Sequence, residues 1–319
     1  MENSLHKRFA VRDILSNYGV LIAFVLIFIA LSFATTTFFT SANMINIIRQ
    51  VSVNGIIAVG MMFVLLTGGI DLSVGSLVAL SGVVAAHFAQ NPENHWALAV
   101  FMGLLIGACI GAINGFVIVK MRVVPFVATL GMMGIARGIA LVLSDGRPIS
   151  RLADPFRRIG GGVLFDFLPI LSLIMLACFV IGYIVLNKTR FGRHIYAIGG
   201  NEKAARVSGL KVDQIKFFVY ITSAVFASLA GIVLASRINA GTPVSGVGFE
   251  LDAIAAVVIG GTSLSGGIGK IWGTLLGVLI VGAINNGLDL LNVSSYYQQI
   301  AKGAIIVLAV AIDANVKNR

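Results

Sequence analysis

Residues 187–216 read NKTRFGRHIYAIGGNEKAARVSGLKVDQIK, a polar stretch in a 319-residue chain that is 58% hydrophobic overall with a mean hydropathy of +0.97. That contrast decides the fold. Soluble domains carry roughly 25% charged residues, whereas this chain carries 11%. Apolar runs elsewhere in it approach the ~20 residues that an α-helix needs to cross a bilayer. The chain reads as all-α, a polytopic membrane helix bundle. Within the polar stretch Lys188, Arg190, Arg193, Lys203, Arg206, Lys211 and Lys216 face only Glu202 and Asp213. An excess of Lys and Arg places such a loop on the cytoplasmic side, where it can meet a soluble partner.

The formal net charge of +10 would suggest nucleic acid if the basic residues shared one solvated face. They cluster instead in short stretches between apolar spans, so they orient the chain in the membrane and no nucleic-acid partner is expected. The first apolar run, 19–33, follows Lys7, Arg8 and Arg12 and is read as an uncleaved span. Cys109 and Cys178 lie within apolar runs, which predicts buried, inert thiols.

Polar, Gly and Pro breaks divide the chain into about ten spans. They begin near Tyr18, Met44, Gly75, Trp96, Pro125, Pro169, Gln214, Leu251, Ile271 and Tyr296, with counts of eight or nine as alternatives. An even count puts both termini in the cytoplasm. It leaves a cytoplasmic segment 1–17, a transmembrane domain 18–313 with a loop at 188–213, and a tail 314–319. Residues 144–168 fit this scheme badly, because they should be external yet carry Arg147, Arg151, Arg157 and Arg158. Longer segments follow the charge rule less closely. GAIN occurs at 111–114 and again at 282–285, in spans that run in opposite directions in the ten-span scheme. Two inverted five-helix halves with a broken helix would produce such an echo, and so would chance similarity between Gly-rich spans.

Gly103, Gly107, Gly111 and Gly115 line one helix face, which suits close helix packing in lipid. In LLTGGIDLSVGSLVAL (65–80), Asp71 is costly at membrane depth unless it meets protein, water or a helix end. Asp71 or Ser73 could cap the following helix, and a broken-helix hinge is preferred to a direct substrate ligand. GGTSLSGGIGK (260–270) imitates a phosphate loop but is not one, since Leu264 stands where the first Gly belongs and Ile271 follows the Lys. No ATP is bound through it. Other polar residues within spans, Asn54, Asn114, Arg137, Asp252, Asn285 and Asn286 among them, are too few and scattered for a proton relay. Asn54, Asp71, Ser73, Asn114, Asp252, Asn285 and Asn286 are the candidates for a translocation path or hinge, with interhelical hydrogen bonds as the alternative. Residues 201–209 read as a short helix, with Asn201 as N-cap, Glu202 and Arg206 complementing the helix dipole, and Gly209 closing it. Docking to a partner and simple solvation both account for it. His6, His87, His95 and His194 are too dispersed for a metal site.

Four stretches together, SVNGIIAVGMMFVLLTGGIDLSVGSLVAL (52–80), TRFGRHIYAIGGNEKAARVSGLKV (189–212), FELDAIAAVVIGGTSLSGGIGKIWGTLLG (249–277) and NNGLDLLNVSSYYQQIAKGAIIVLAV (285–310), resemble the inner-membrane permease subunits of monosaccharide ABC importers, the ribose permeases most closely. The resemblance covers nearly the whole chain. It implies a homodimeric pore in the bacterial inner membrane, a periplasmic sugar-binding protein that delivers the substrate, and a cytoplasmic ATPase subunit that binds ATP and Mg. This chain then needs no cofactor and has no catalytic residues of its own. The resemblance also implies that Gly200, Asn201, Glu202, Ala204, Ala205, Arg206 and Gly209 belong to the element that couples to the ATPase. Ribose is the first expectation for the sugar, with allose, galactose or another small polyol as alternatives and an ion-coupled secondary transporter as the functional rival.

Overall fold

A computed structural model describes residues 19–294, 296–300, 303–304 and 307. The segment 1–17, the tail 314–319 and most of the span expected from Tyr296 onward lie outside the described residues. Helix α1 (Gly19–Ala34) is followed by α2 (Ser41–Leu66), α3 (Val74–Ala89), α4 (Trp96–Val119), α5 (Pro125–Leu143), α6 (Asp154–Gly161) and α7 (Ile170–Lys188). Then come α8 (Arg190–Gly200), α9 (Glu202–Val207), α10 (Val212–Ile238), α11 (Phe249–Ile259) and α12 (Ile271–Leu290). Among the described residues there are also four two-residue strands, β1 (Ile149–Ser150) paired with β4 (Ala240–Gly241), and β2 (Val163–Leu164) paired with β3 (Leu168–Pro169). Helices begin close to each expected start up to Ile271. Six of them among the described residues, α2, α4, α5, α7, α10 and α12, are long and apolar enough to cross a membrane, whereas α1, α3 and α11 are shorter.

Helix α2 is the axis of the bundle, with 78% of its apolar window buried, against 28% for α4 and 22% for α5. The outer helices keep apolar side chains such as Phe101, Phe116, Val127 and Val142 exposed, as a lipid-facing surface requires. Cys109 falls on that outer face of α4 and is exposed, contrary to the expectation, while Cys178 is buried. An apolar helix in lipid has no need to bury every side.

The glycine stripe of α4 packs on α10. A Cβ at Gly107 would overlap Ser228 Oγ, and one at Gly111 would stand 2.8 Å from both the Tyr220 carbonyl oxygen and the Ile221 Cα. Small residues thus let the α4 and α10 backbones approach, whereas the second GAIN glycine, Gly282 of α12, makes room for the Val51 side chain of α2. Two groups of helices share an order: a long helix (α2, α10), a non-helical break, a short helix (α3, α11) and a return helix (α4, α12). They run in opposite senses. The end of α2 meets the loop after α11, where Gly267 N–H donates to the Leu66 carbonyl at 2.9 Å. The end of α3 meets the far side, where Gln90 Nε2 donates to the Ser150 carbonyl at 2.8 Å.

Residues 144–168 sit at the end of the bundle away from α8 and α9, because α7 separates the two. They form a folded cap. Phe156 is fully buried, Ser236 Oγ donates to its carbonyl at 2.7 Å and accepts from Gly160 N–H at 2.7 Å, and Asn239 Oδ1 accepts from Leu152 N–H at 3.1 Å. The arginines there decorate a structured cap, a setting in which loop charge orients a chain weakly.

Candidate functional site

Two interruptions of the helical backbone meet inside the bundle. The first, 67–73, links α2 to α3. Asp71 is fully buried, and its Oδ1 accepts from Ser73 N–H at 3.0 Å and Ser73 Oγ at 2.6 Å. Its Oδ2 accepts from Ser223 Oγ of α10 at 2.9 Å. Asn114 Nδ2 of α4 donates to Ser73 Oγ at 3.0 Å. Neither Asp71 nor Ser73 caps α3 through its side chain, the alternative to a hinge that the sequence leaves open: Ser73 stands at the N-cap position without a capping bond. Asp71 instead closes the turn before α3 and ties it to two helices, an arrangement that satisfies a buried carboxylate without water.

The second interruption, 240–248, leads from β4 into α11. Gly246 and Gly248 adopt φ of +73° and +82°, values that favour glycine. A Cβ on Gly246 would collide with the Gly75 carbonyl, and one on Gly75 would collide with the Glu250 carboxylate and the Gly246 carbonyl. The starts of the two short helices therefore cross in direct backbone contact. Unwound carbonyls at membrane depth need donors, and α5 supplies them to both interruptions. Thr129 Oγ1 donates to the Ile70 carbonyl at 3.2 Å. Arg137 Nη1 donates to the carbonyls of Pro243 at 2.5 Å and Ser245 at 2.7 Å, and its charge interacts with that of Glu250. Glu250 and Asp252 lie in the first turn of α11, where the positive end of the helix dipole favours them. Asn54 Nδ2 of α2 reaches Asp252 Oδ2 at 3.4 Å.

At one end of the bundle the polar stretch forms two helices, α8 and α9, where one had been expected. Thr189 caps α8 by accepting from Gly192 N–H at 3.2 Å, and Asn201 caps α9 by accepting from Ala204 N–H at 2.9 Å. Gly209, at φ +84°, turns the chain toward α10. Glu202 bridges Arg206 at 3.3 Å and Lys216 at 2.6 Å, and Arg206 also bridges Asp213 at 2.8 Å. Partial burial would raise the Glu202 carboxyl, but its hydrogen bonds and charge pairing with Lys216 and Arg206 hold it below the usual range. A cavity of about 490 Å³ lined by Arg122, Glu202, Arg206 and Asp213 separates α9 from the α4–α5 turn. Lys203, Ala204, Val207 and Ser208 face outward, and Val207 is 90% exposed.

Residues 43–310 match the family described as branched-chain amino acid transport system / permease component. The chain is 46% identical over 309 residues to the ribose import permease protein of Bacillus subtilis, covering 96% of this chain and 95% of that one. It is 47% identical over 311 residues to the ribose import permease protein of Escherichia coli, with 96% of each chain covered. The L-arabinose transport system permease protein of E. coli is 40% identical over 305 residues, covering 96% of this chain and 92% of the relative. This chain belongs to that permease family. No solved structure matches it.

Within the permease, the expected path-or-hinge residues separate into three places. Asp71, Ser73 and Asn114 form the first cluster, which is buried and joined by hydrogen bonds. Asn54 and Asp252 tie α2 to the start of α11. Asn286 lies elsewhere: it exchanges hydrogen bonds with Asn43 of α2 at 2.8 and 3.0 Å, an interhelical clamp. Asn285 beside it is half-buried. Ala205, expected in the coupling element, is buried in the chain's own core. Glu250, Ser223 and Asn43 had not been singled out. The rule that marks Asp71, an acid inside an apolar run, would have marked Glu250.

Proposed function

We propose that this permease is the membrane-spanning subunit of an ATP-driven importer, forming the translocation path for ribose. The observation that carries the reading is the near full-length identity, 46–47%, to ribose import permeases from several bacteria. In this reading the chain has about ten spans arranged as two inverted halves, the tenth running from near Tyr296, and lies in the bacterial inner membrane with both termini cytoplasmic. Two copies enclose the path, a periplasmic binding protein delivers the sugar, and a cytoplasmic ATPase carrying ATP and Mg docks on the exposed face of α9. Closure of the ATPase pushes α9, and the movement reaches the membrane through α10, which follows it directly.

The geometry favours a path that passes the starts of α3 and α11, since discontinuous helices commonly border the substrate in transporters. Arg137, Glu250, Asp252 and Asn54 are the polar groups there that a polyol could meet. A second reading, a permease for L-arabinose, is favoured by the 40% identity to that permease. Uptake of labelled ribose and labelled L-arabinose into proteoliposomes holding this chain, the ATPase and the binding protein tests both. Ribose uptake with ATP inside supports the first, and preference for arabinose replaces it with the second.

A further inference from the structure

A groove unrelated to the two interruptions runs along the outer surface between α7 and α10. Its floor is Phe63 of α2, its walls are Ile181 and Val185 of α7 and Phe218 and Phe226 of α10, and Phe191 of α8 closes one end around a cavity of about 380 Å³. The only hydroxyl on its lining, that of Thr222, is spent on the Phe218 carbonyl at 2.8 Å, so the groove offers apolar contact alone. Phe218 to Phe226 spans about 12 Å along the helix, close to the depth of one leaflet of hydrocarbon, about 15 Å. The closed end is basic. Lys188 falls seven residues beyond Ile181 on the same face of α7, Arg190 precedes Phe191, and Lys211 falls seven residues before Phe218. All three are exposed, and none joins an ion pair among the described residues.

We propose that this groove holds an acyl chain of an anionic phospholipid, whose headgroup lies against Lys188, Arg190 and Lys211. An apolar slot of leaflet depth ending at three unpaired cations matches the two parts of such a lipid and no part of a sugar. The site abuts α8, so the bound lipid would brace the base of the loop that carries α9.

The test uses the full chain in nanodiscs, with Trp96 and Trp272 replaced by Phe and Phe218→Trp as the reporter. Phosphatidylglycerol with brominated acyl chains should quench the reporter at a lower mole fraction than brominated phosphatidylcholine, by about fivefold for each cation that contributes. The triple variant K188Q/R190Q/K211Q should abolish the preference. Equal quenching by the two lipids would mean ordinary bulk lipid, absence of quenching by either would mean that a second copy covers the groove, and both results overturn the proposal. Should the reporter variant not fold, native mass spectrometry of the unaltered chain after delipidating washes replaces it. A retained anionic lipid that the triple variant loses supports the proposal, and equal retention contradicts it.

Discussion

The two interruptions occupy matching places in α2–α4 and α10–α12, yet they are built differently. At 67–73 both Asp71 oxygens are held by protein donors and the carboxylate is fully enclosed. At 240–248 the first two residues pair with β1, and beyond them one long side chain, Arg137, donates to two carbonyls beside a half-buried Glu250, while Val244 and Val247 remain exposed. A turn locked by short side chains from three directions is an anchor. A turn held by a flexible arm can let go, because one rotamer change frees it. If 240–248 releases while 67–73 stays fixed, the second interruption moves against the first during transport.

The largest effect should come from Arg137. Arg137→Met leaves the carbonyls of Pro243 and Ser245 without their donor, each costing about 1–3 kcal/mol, and removes the positive charge near Glu250. ATP-driven uptake should be lost, and Arg137→Lys should recover little of it, because the shorter side chain does not carry its ammonium to the place of Nη1, the one nitrogen that donates to both carbonyls. Recovery by Lys would reduce Arg137 to a simple charge. Next comes Asp71. Asp71→Leu strands Ser73 and Ser223 donors, each costing about 1–3 kcal/mol, and should lower both the melting temperature in detergent and the amount of folded protein. Asp71→Asn should retain most of both, along with most of the uptake. Equal damage from Asn and Leu would show that the charge itself is used in transport and would spoil the contrast between the two interruptions.

A selective effect is expected on α9. Val207→Asp alters the exposed face and should uncouple sugar-stimulated ATP hydrolysis from uptake while leaving the melting temperature unchanged. Ala205→Arg, by contrast, forces a long cation into the chain's own core and should also destabilise the loop. If both variants behaved alike, the outward face of α9 would not be the docking face.

The smallest effect is one of pH. Because the Glu202 carboxyl is held below its unfolded value, its contribution to the loop is complete above about pH 4.3 and is lost as pH falls through the folded value. Hydrogen-exchange protection of α9 should therefore be flat from pH 8 to about pH 5 and weaken only below that, and Glu202→Gln should remove the dependence.

Much of this architecture was legible in the sequence because Gly, Pro and polar residues punctuate a membrane chain sharply, so helix starts such as Trp96, Pro125 and Ile271 could be read directly. The cap on α9 was legible for the same reason, since Asn201 and Gly209 are local signals. Partners distant in sequence were not. Nothing near Asn286 announces Asn43, 243 positions away, so a clamp between helices looks like any polar residue in a span. Helix α8 was hidden by Gly192, Gly199 and Gly200, which lower local helix propensity. Two of them are explained by packing, since Gly192 lies on the carbonyls of Val185 and Leu186 and Gly199 on that of Leu66, contacts that only tertiary structure reveals. The direction in which Ala205 faces was not legible, because a small residue suits an inward face as well as an outward one, and periodicity over six residues does not tell them apart.

The contrast between the interruptions is tested most directly by hydrogen–deuterium exchange on the assembled transporter in nanodiscs, comparing the nucleotide-free state with the ATP-bound state. Residues 242–248 should change protection between the two states, while residues 67–73 remain protected in both. Unchanged protection at 242–248, or a larger change at 67–73, would contradict the account.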